Sequence, residues 1–356
     1  MAGFHTNLTD GPFVAGVSGS GKSVFMNELV SSYRSIGARA WVIDVGRSYQ
    51  NLIRLQKGTF IEFKPYDKNT ICINPFSWIG SDNEIDFKEE MKLLKPMIGR
   101  MASPNAPLSE FQYSLIVEAI TKCWADYGQD TNPTKIQSFL LGKIKNEKNE
   151  TERVAYELGK QLQPFTEEGV FGAYFNGRAN LDLDGDMIGL ELEELKNSPE
   201  LRRVVLFVLT SRIAHDMYLT RDRKKLCLVD EAWQLLGADK ETAEFIEEGY
   251  RRARKYKGIF CVGTQSIADA YTNAASQAAY TNADWKFFLR QDKKSLEKLI
   301  DDGTVNFDPV VKRMLMSLST QKGRYAEILI SSPDGDAVVR HIPDPFALLA
   351  ASTEAE

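Results

Sequence analysis

Residues 16–23 read GVSGSGKS, a stretch with the spacing G-x-x-x-x-G-K-S. That spacing belongs to a loop that wraps phosphate. Glycines let successive backbone N–H groups turn inward without a Cβ in the way, and the lysine carries a positive charge to the β- and γ-phosphates. The flanks supply the context that such a loop needs. PFVAG (12–16) is a short apolar strand running into it, and KSVFMNELVSSYRS (22–35) is a helix with Val24, Phe25, Leu29 and Val30 at helical spacing. The helix would also point its positive N-terminal end at the anion. Gly16, Ser18, Gly19, Ser20, Gly21, Lys22, Ser23 and Val24 are therefore the expected nucleotide-binding residues, with the Ser23 hydroxyl as a Mg²⁺ ligand. Lys22 is expected at an exposed loop–helix junction, where its loss would remove a phosphate contact and little else.

LCLVDEAW (226–233) offers the matching acids. An apolar run ending in Asp-Glu places two carboxylates at the C-terminal end of a buried parallel strand, where ligands bind in open α/β sheets. Asp230 is the expected Mg²⁺ carboxylate, and Glu231 is placed to orient and polarise an attacking water, which favours ATP hydrolysis. CVGTQS (261–266) is another apolar strand, ending in Gln265, a neutral amide suited to sensing the γ-phosphate. Between these strands, YRRARKYKG (250–258) crowds Arg251, Arg252, Arg254, Lys255 and Lys257 together. Three readings stay open for them: a helix C-terminal dipole cap, an arginine reaching a neighbouring subunit's γ-phosphate, and contact with nucleic-acid phosphates. Arg290 and Arg324 are further candidates for the same roles, while Trp233 and Tyr256 read as packing residues.

The remaining segments set the architecture. ARAWVIDVG (38–46) gives a strand ending at Asp44, and TFIEFKP (59–65) with TICINPF (70–76) suggests two more. From about residue 83 to 163 four amphipathic helices follow with almost no strand signal, an inserted helical bundle. Alternation resumes with the strand MIGLELEEL (187–195) and a helix signalled by Ser198, Pro199 and Glu200. KETAEFIEEGYRRARKYKG (240–258) is a helix closed by Gly258, and DWKFFLRQ, EILIS and AVVRHIP are late strands, the last of them antiparallel. The fold class is α/β, a P-loop sheet with an all-α insertion: residues 1–80 and 179–356 form the core, and 81–178 the helical subdomain.

Bulk properties are compatible with this. The chain has 356 residues, 43% hydrophobic and 26% charged, with a net charge of −5. The acidic balance argues against coating nucleic acid over the whole surface and leaves a local basic patch open. No apolar run is long enough to span a bilayer, and no secretory signal opens the chain. Four widely spaced cysteines and three scattered histidines suit neither zinc nor a disulfide framework, and point to a reducing compartment.

Taken together, VAGVSGSGKSVFMNELV, YFNGRANLDLDGDMIGLELEEL, LCLVDEAWQLL, GYRRARKYKGIFCVGTQS and HIPDPFALLA resemble the large ATPases of type IV secretion and conjugative transfer, within the wider HerA/FtsK group of P-loop motors. The resemblance covers nearly the whole chain. It implies a RecA-like fold, ATP and Mg²⁺ as ligands, and self-association into a ring, a hexamer in the full-length protein. It also implies work beside other secretion components at the cytoplasmic face of the bacterial inner membrane. In that group a helix ending in Arg-Lys completes the neighbour's site, which maps to Arg254 and Lys255. Members carry a large domain before the P-loop, so the chain is expected to be the C-terminal ATPase domain. The alternative is a DNA-translocating hexamer that grips DNA directly.

Overall fold

The computed structural model describes residues 11–64, 71–80, 84–143, 149–231, 247 and 252–351. Within them the chain divides into two compact units, one of 1–62, 183–193 and 212–356, the other of 63–182 and 194–211.

The first unit is built on a sheet. Its strands are β1 (Phe13–Ala15), β2 (Arg39–Asp44), β3 (Thr59–Glu62), β4 (Met187–Glu191), β5 (Lys225–Asp230), β6 (Gly258–Thr264), β7 (Lys286–Phe288), β8 (Thr320–Gln321), β9 (Tyr325–Ser332) and β10 (Gly335–His341). The order across it is β10-β9-β7-β1-β6-β5-β2-β4-β3, with β8 paired to β9. Strands from β7 to β3 along that order run parallel, while β8, β9 and β10 add antiparallel pairings at one side. The parallel strands β1, β2, β4, β5 and β6 are almost wholly buried. This is why Trp41-Val42-Ile43 and Leu226-Cys227-Leu228-Val229 are continuous apolar runs with no alternation. The helix α1 (Lys22–Ser35) covers the sheet, burying Met26, Leu29, Val30 and Tyr33 in a core that includes Val14, Val42, Leu228 and Cys261. A short α2 (Gln50–Leu55), unforeseen from sequence, buries Leu52 and Ile53.

The second unit holds four helices in a row: α3 (Glu84–Ala102), α4 (Glu110–Tyr127), α5 (Pro133–Leu141) and α6 (Glu150–Gln161). Ser109 and Gln112 form a capping box at the start of α4, and Asn132 and Asn149 cap α5 and α6. Phe87 stacks on Trp124 with ring centroids 4.9 Å apart. The first part of α7 (Pro199–Leu219) belongs to this unit and its end to the other. Further helices after β6 are α8 (Ala274–Asn282), α9 (Lys293–Asp301), α10 (Pro309–Ser317) and α11 (Pro345–Ala350).

Two expectations are corrected. TICINPF is not a strand. The described part of it, from residue 71, leads into a 3-10 turn at Pro75–Trp78. Its backbone groups are taken up irregularly, Ile73 N–H by the Tyr174 carbonyl and Cys72 N–H by the Asn180 side chain. Gly258 does not close a helix. Lys257 is the residue in the left-handed region, at φ 57°, and Gly258 opens β6. A Cβ there would come within 2.5 Å of the Met217 side chain, so the glycine serves close packing and not chain reversal. Most of the expected helix 240–258 lies outside the described residues. Arg252 and Ala253 are helical, and Arg254–Tyr256 form a 3-10 turn.

Candidate functional site

β1 delivers the chain to the glycine loop in the middle of the sheet, between β6 and β7. The loop is tied to both neighbours, because Gly16 N–H donates to the Thr264 carbonyl at 3.0 Å and Val17 N–H to the Arg290 carbonyl at 3.1 Å. Gly21, at φ 92°, turns the loop into α1. Any other residue there would be strained, and its Cβ would lie 2.9 Å from Ala326 Cβ. A Cβ on Gly16 would lie 2.5 Å from Ser20 Oγ. Ser18 and Gly19 are exposed at the loop tip, and Ser23 and Val24 occupy the first turn of α1. The loop therefore has the shape of an anion cradle backed by a helix N-terminus.

The two acids arrive from β5, two places away in the sheet. Lys22 Nζ donates to Asp230 Oδ1 at 2.7 Å and also bonds Glu231 Oε1. The lysine is only 7% exposed, contrary to the exposed junction expected from sequence, because the strand ends close over it. Burial pulls its ammonium down, but the charges of Asp230 and Glu231 and their hydrogen bonds outweigh this and hold the group above its ordinary value. Glu231 sits just past β5 with φ 58°, a left-handed conformation that a glutamate adopts at a cost of order 1–3 kcal/mol. That geometry turns its carboxylate back over the loop, where Oε2 accepts from Gln265 Nε2 at 2.8 Å. Lys22, Asp230, Glu231 and Gln265 are thus assembled on one spot, from α1, β5 and the end of β6.

Further groups at this end of the sheet were not read from sequence. Asp44 ends β2 as Asp230 ends β5, and it is 2% exposed with Oδ1 unpartnered. Burial, then the charges of Asp230 and Glu191, pushes its carboxyl well above the usual carboxylate range. Its signal was available, a carboxylate at the end of an apolar strand. Tyr49, 0% exposed, donates its hydroxyl to Asp230 Oδ2 at 2.8 Å, and nothing in the local sequence marks it. Gln291 donates to the Ala15 and Leu289 carbonyls and accepts from Ile267 N–H, tying the loop strand to the turn that carries Gln265. Arg290 Nη2 reaches the Ser18 carbonyl at 3.3 Å, so of the two secondary arginines it lies against the loop. Arg324 sits in the turn between β8 and β9.

Arg254 is not brought to this site. It precedes β6, whereas Gln265 follows it, and a seven-residue strand separates the two ends by about 20 Å. Around Arg254, Arg221 and Arg252 stack on Tyr256 and Tyr218, whose rings lie 5.4 Å apart. Tyr256 thus packs, as expected. Trp233 and Arg251 lie outside the described residues.

The fit to a nucleotide and a cation can be judged from the donors present. Ser20 Oγ is buried with no partner, the cradle has no room for a Cβ at Gly16 or Gly21, and the lysine faces Asp230 Oδ1, whose other oxygen is held from behind by Tyr49. The buried ammonium suits phosphate oxygens, and the hydroxyl and carboxylate oxygens are the hard donors that Mg²⁺ takes. Among the described residues no helix is long and apolar enough to cross a membrane.

Removing the lysine tests this electrostatic account without any ligand. Lys22→Ala should cost about 2 kcal/mol of stability, because a buried carboxylate loses its donor. A lower urea midpoint with unchanged slope is the expected result, and an unchanged midpoint would show that water compensates the acids fully.

A family model described as "TraG P-loop domain" matches residues 2–342. The chain is 30% identical over 345 residues to Protein TraC of Escherichia coli, covering 94% of this chain and 38% of that protein. It is 21% identical to type IV secretion system protein virB4 of Bartonella quintana over 99% of the chain and 42% of the relative. The chain thus spans about two fifths of the length of these relatives. Among solved structures, VirB4 of Thermoanaerobacter pseudethanolicus superposes with a TM-score of 0.76 at 18% identity, over 95% of this chain and 90% of that one. The plasmid coupling protein TrwB in complex with ADP and Mg²⁺ superposes with a TM-score of 0.64 at 14% identity, covering 95% and 86%.

Proposed function

Because the chain belongs to the TraG P-loop domain family, we propose that it is the ATP-hydrolysing motor domain of a type IV secretion or conjugation apparatus, energising channel or pilus assembly and substrate transfer. The observation that carries the proposal is the convergence of Lys22, Asp230, Glu231 and Gln265 on one spot beside a glycine cradle. On this reading residues 16 and 18–24 hold the phosphates, with Lys22 leaving the acids to meet the β- and γ-oxygens. Ser23 and Asp230 would hold Mg²⁺, which when bound neutralises charge on the phosphate oxygens. Glu231 takes a proton from the attacking water, and Gln265 holds the glutamate's other oxygen and reports the γ-phosphate. Functionally we take residues 1–80 and 179–356 as the ATPase core and 81–178 as the helical subdomain; by packing, 63–80, 179–182 and 194–211 go with the helices.

Arg254 is assigned to a neighbouring subunit's site in a ring, a hexamer in the full-length protein, at the cytoplasmic face of the inner membrane beside other secretion components. Its place before β6, about 20 Å from its own loop, supports action in trans. A second reading, direct grip on DNA, draws on the same region, where the stacked Arg221 and Arg252 stand beside exposed Lys255 and Lys257.

The test is Mg²⁺-dependent ATP hydrolysis followed against protein concentration, with particle size in parallel. Specific activity should climb as rings form. Constant specific activity through assembly would remove the shared site, and absence of turnover at every concentration would remove the ATPase reading. Added DNA should stimulate turnover only if DNA is gripped directly.

A further inference from the structure

The loop between β2 and α2 is held more tightly than a simple connection requires. Gly46 and Arg47 both take positive φ, 125° and 59°. Their N–H groups donate to the two oxygens of Glu191, at 3.2 and 2.6 Å, and Ser48 N–H donates to Asp44 Oδ2 at 2.5 Å. Asn27, on α1, spans the Ser23 and Ser48 carbonyls at 2.8 and 3.1 Å, fastening the loop to the first turn of the phosphate helix. Two buried carboxylates, a strained arginine backbone and a buried amide are thus committed to five residues. The residue they deliver is Tyr49, fully buried, with its hydroxyl 2.8 Å from Asp230 Oδ2.

We propose that Tyr49 is a positioning residue for the metal carboxylate: its hydroxyl fixes the rotation of Asp230 so that Oδ1, and not Oδ2, faces the phosphate loop. The proposal rests on the reading of Asp230 as a Mg²⁺-holding carboxylate. A carboxylate at a strand end has a soft terminal torsion and can turn either oxygen outward. Here Oδ2 is engaged from behind by a phenol in a fully buried position, while Oδ1 is the oxygen that Lys22 holds. A donor that holds a metal ligand from behind orients it, and its loss commonly costs 10–100-fold in metal affinity. The tether through Asn27 gives the arrangement a further property. Ser23 and Asp230, contributed by α1 and β5, are held in register through the one loop.

The experiment uses binding, not turnover. Affinity for a fluorescent ATP analogue is measured with Mg²⁺ and with EDTA, for the wild type, Tyr49→Phe, Asp230→Asn and the double variant. Phenylalanine keeps the ring and removes one hydroxyl. Tyr49→Phe should reduce the Mg²⁺-linked gain in affinity about tenfold and leave the Mg²⁺-free affinity within about twofold. In the Asp230→Asn background the same change should do nothing further to the Mg²⁺-linked gain. If Tyr49→Phe leaves the gain intact, or lowers affinity equally with and without Mg²⁺, the proposal is overturned. If Tyr49→Phe does not fold, the Asp230→Asn pair decides alone, because the double variant has no carboxylate left unpaired behind the ring. Any further loss of the gain there means that Tyr49 does not act through Asp230. If Asp230→Asn itself keeps the full gain, the underlying metal assignment fails, which is a separate result.

Discussion

Mixing two inactive variants should restore hydrolysis. Arg254→Ala is expected to lower turnover by roughly 10³-fold, the loss found when an arginine finger is removed, while nucleotide still binds each subunit. Lys22→Ala subunits hold no nucleotide productively, yet they keep Arg254. In a mixed ring an intact site from one variant then faces an intact arginine from the other. Some activity should return, rising and then falling with the mixing ratio. The position of Arg254 before β6, with the phosphate loop beyond the far end of that strand, makes rescue within one subunit sterically remote. A mixture that assembles and stays inactive would remove the trans assignment. A loss confined to DNA-stimulated turnover, with a shallower salt dependence of DNA binding, would move the arginine to DNA.

Glu231→Gln should separate binding from chemistry. The amide keeps the size of the side chain and can still bond Gln265, but it cannot accept a proton. Turnover should fall by roughly 10²-fold or more, equivalent to about 3 kcal/mol of barrier, with nucleotide and Mg²⁺ affinity retained. Lys22 also loses one of its two anionic partners in the variant, so nucleotide affinity is expected to rise slightly if it moves at all. Single-turnover mixing separates the two quantities. Normal hydrolysis by Glu231→Gln would mean that another group activates the water, with Asp230 first in line. If Asp230→Asn leaves Mg²⁺ affinity unchanged, the two acids exchange roles.

The order of strand, glycine loop and helix was legible because each element carries its own local signal: an apolar run, a fixed spacing, a 3.6-residue period. The Asp230–Glu231 pair was legible for the same reason, lying at the end of a strand buried on both faces. What sequence hid was set by long-range geometry. Lys22 looked exposed because nothing local says that β5, some 200 residues later, closes over it. Tyr49 and Gln291 act through contacts with partners far away in the chain, and neither forms part of a spaced motif. The residues 70–76 had strand composition, but Asn74 spends its side chain on the Thr131 and Gly177 carbonyls, and among the described residues no strand pairs with it to complete a ladder. At the end of the basic helix a glycine suggested chain reversal, while the backbone used Lys257 for it and needed Gly258 for packing against Met217.

The central position of β1 carries a consequence for how the chain is made. Phe13 pairs with Val262 on one side and Lys286 on the other. Once made, β1 therefore has neither of its paired strands until about 250 further residues, from Phe13 to Val262, have been added. At roughly 5–20 residues per second that is an interval of order ten seconds or longer. Through it, the apolar Phe13-Val14-Ala15 and the glycine loop behind it have no paired strand to join, although β2, β3, β4 and β5 are already made. Nascent chains stalled before residue 258 should be open to protease around β1 and unable to retain nucleotide. Chains extended past β7 should become resistant there in a single step, because both edges of β1 are closed by the same late segment. Nucleotide binding would then be acquired all at once, when the segment from β6 to β7 has been made.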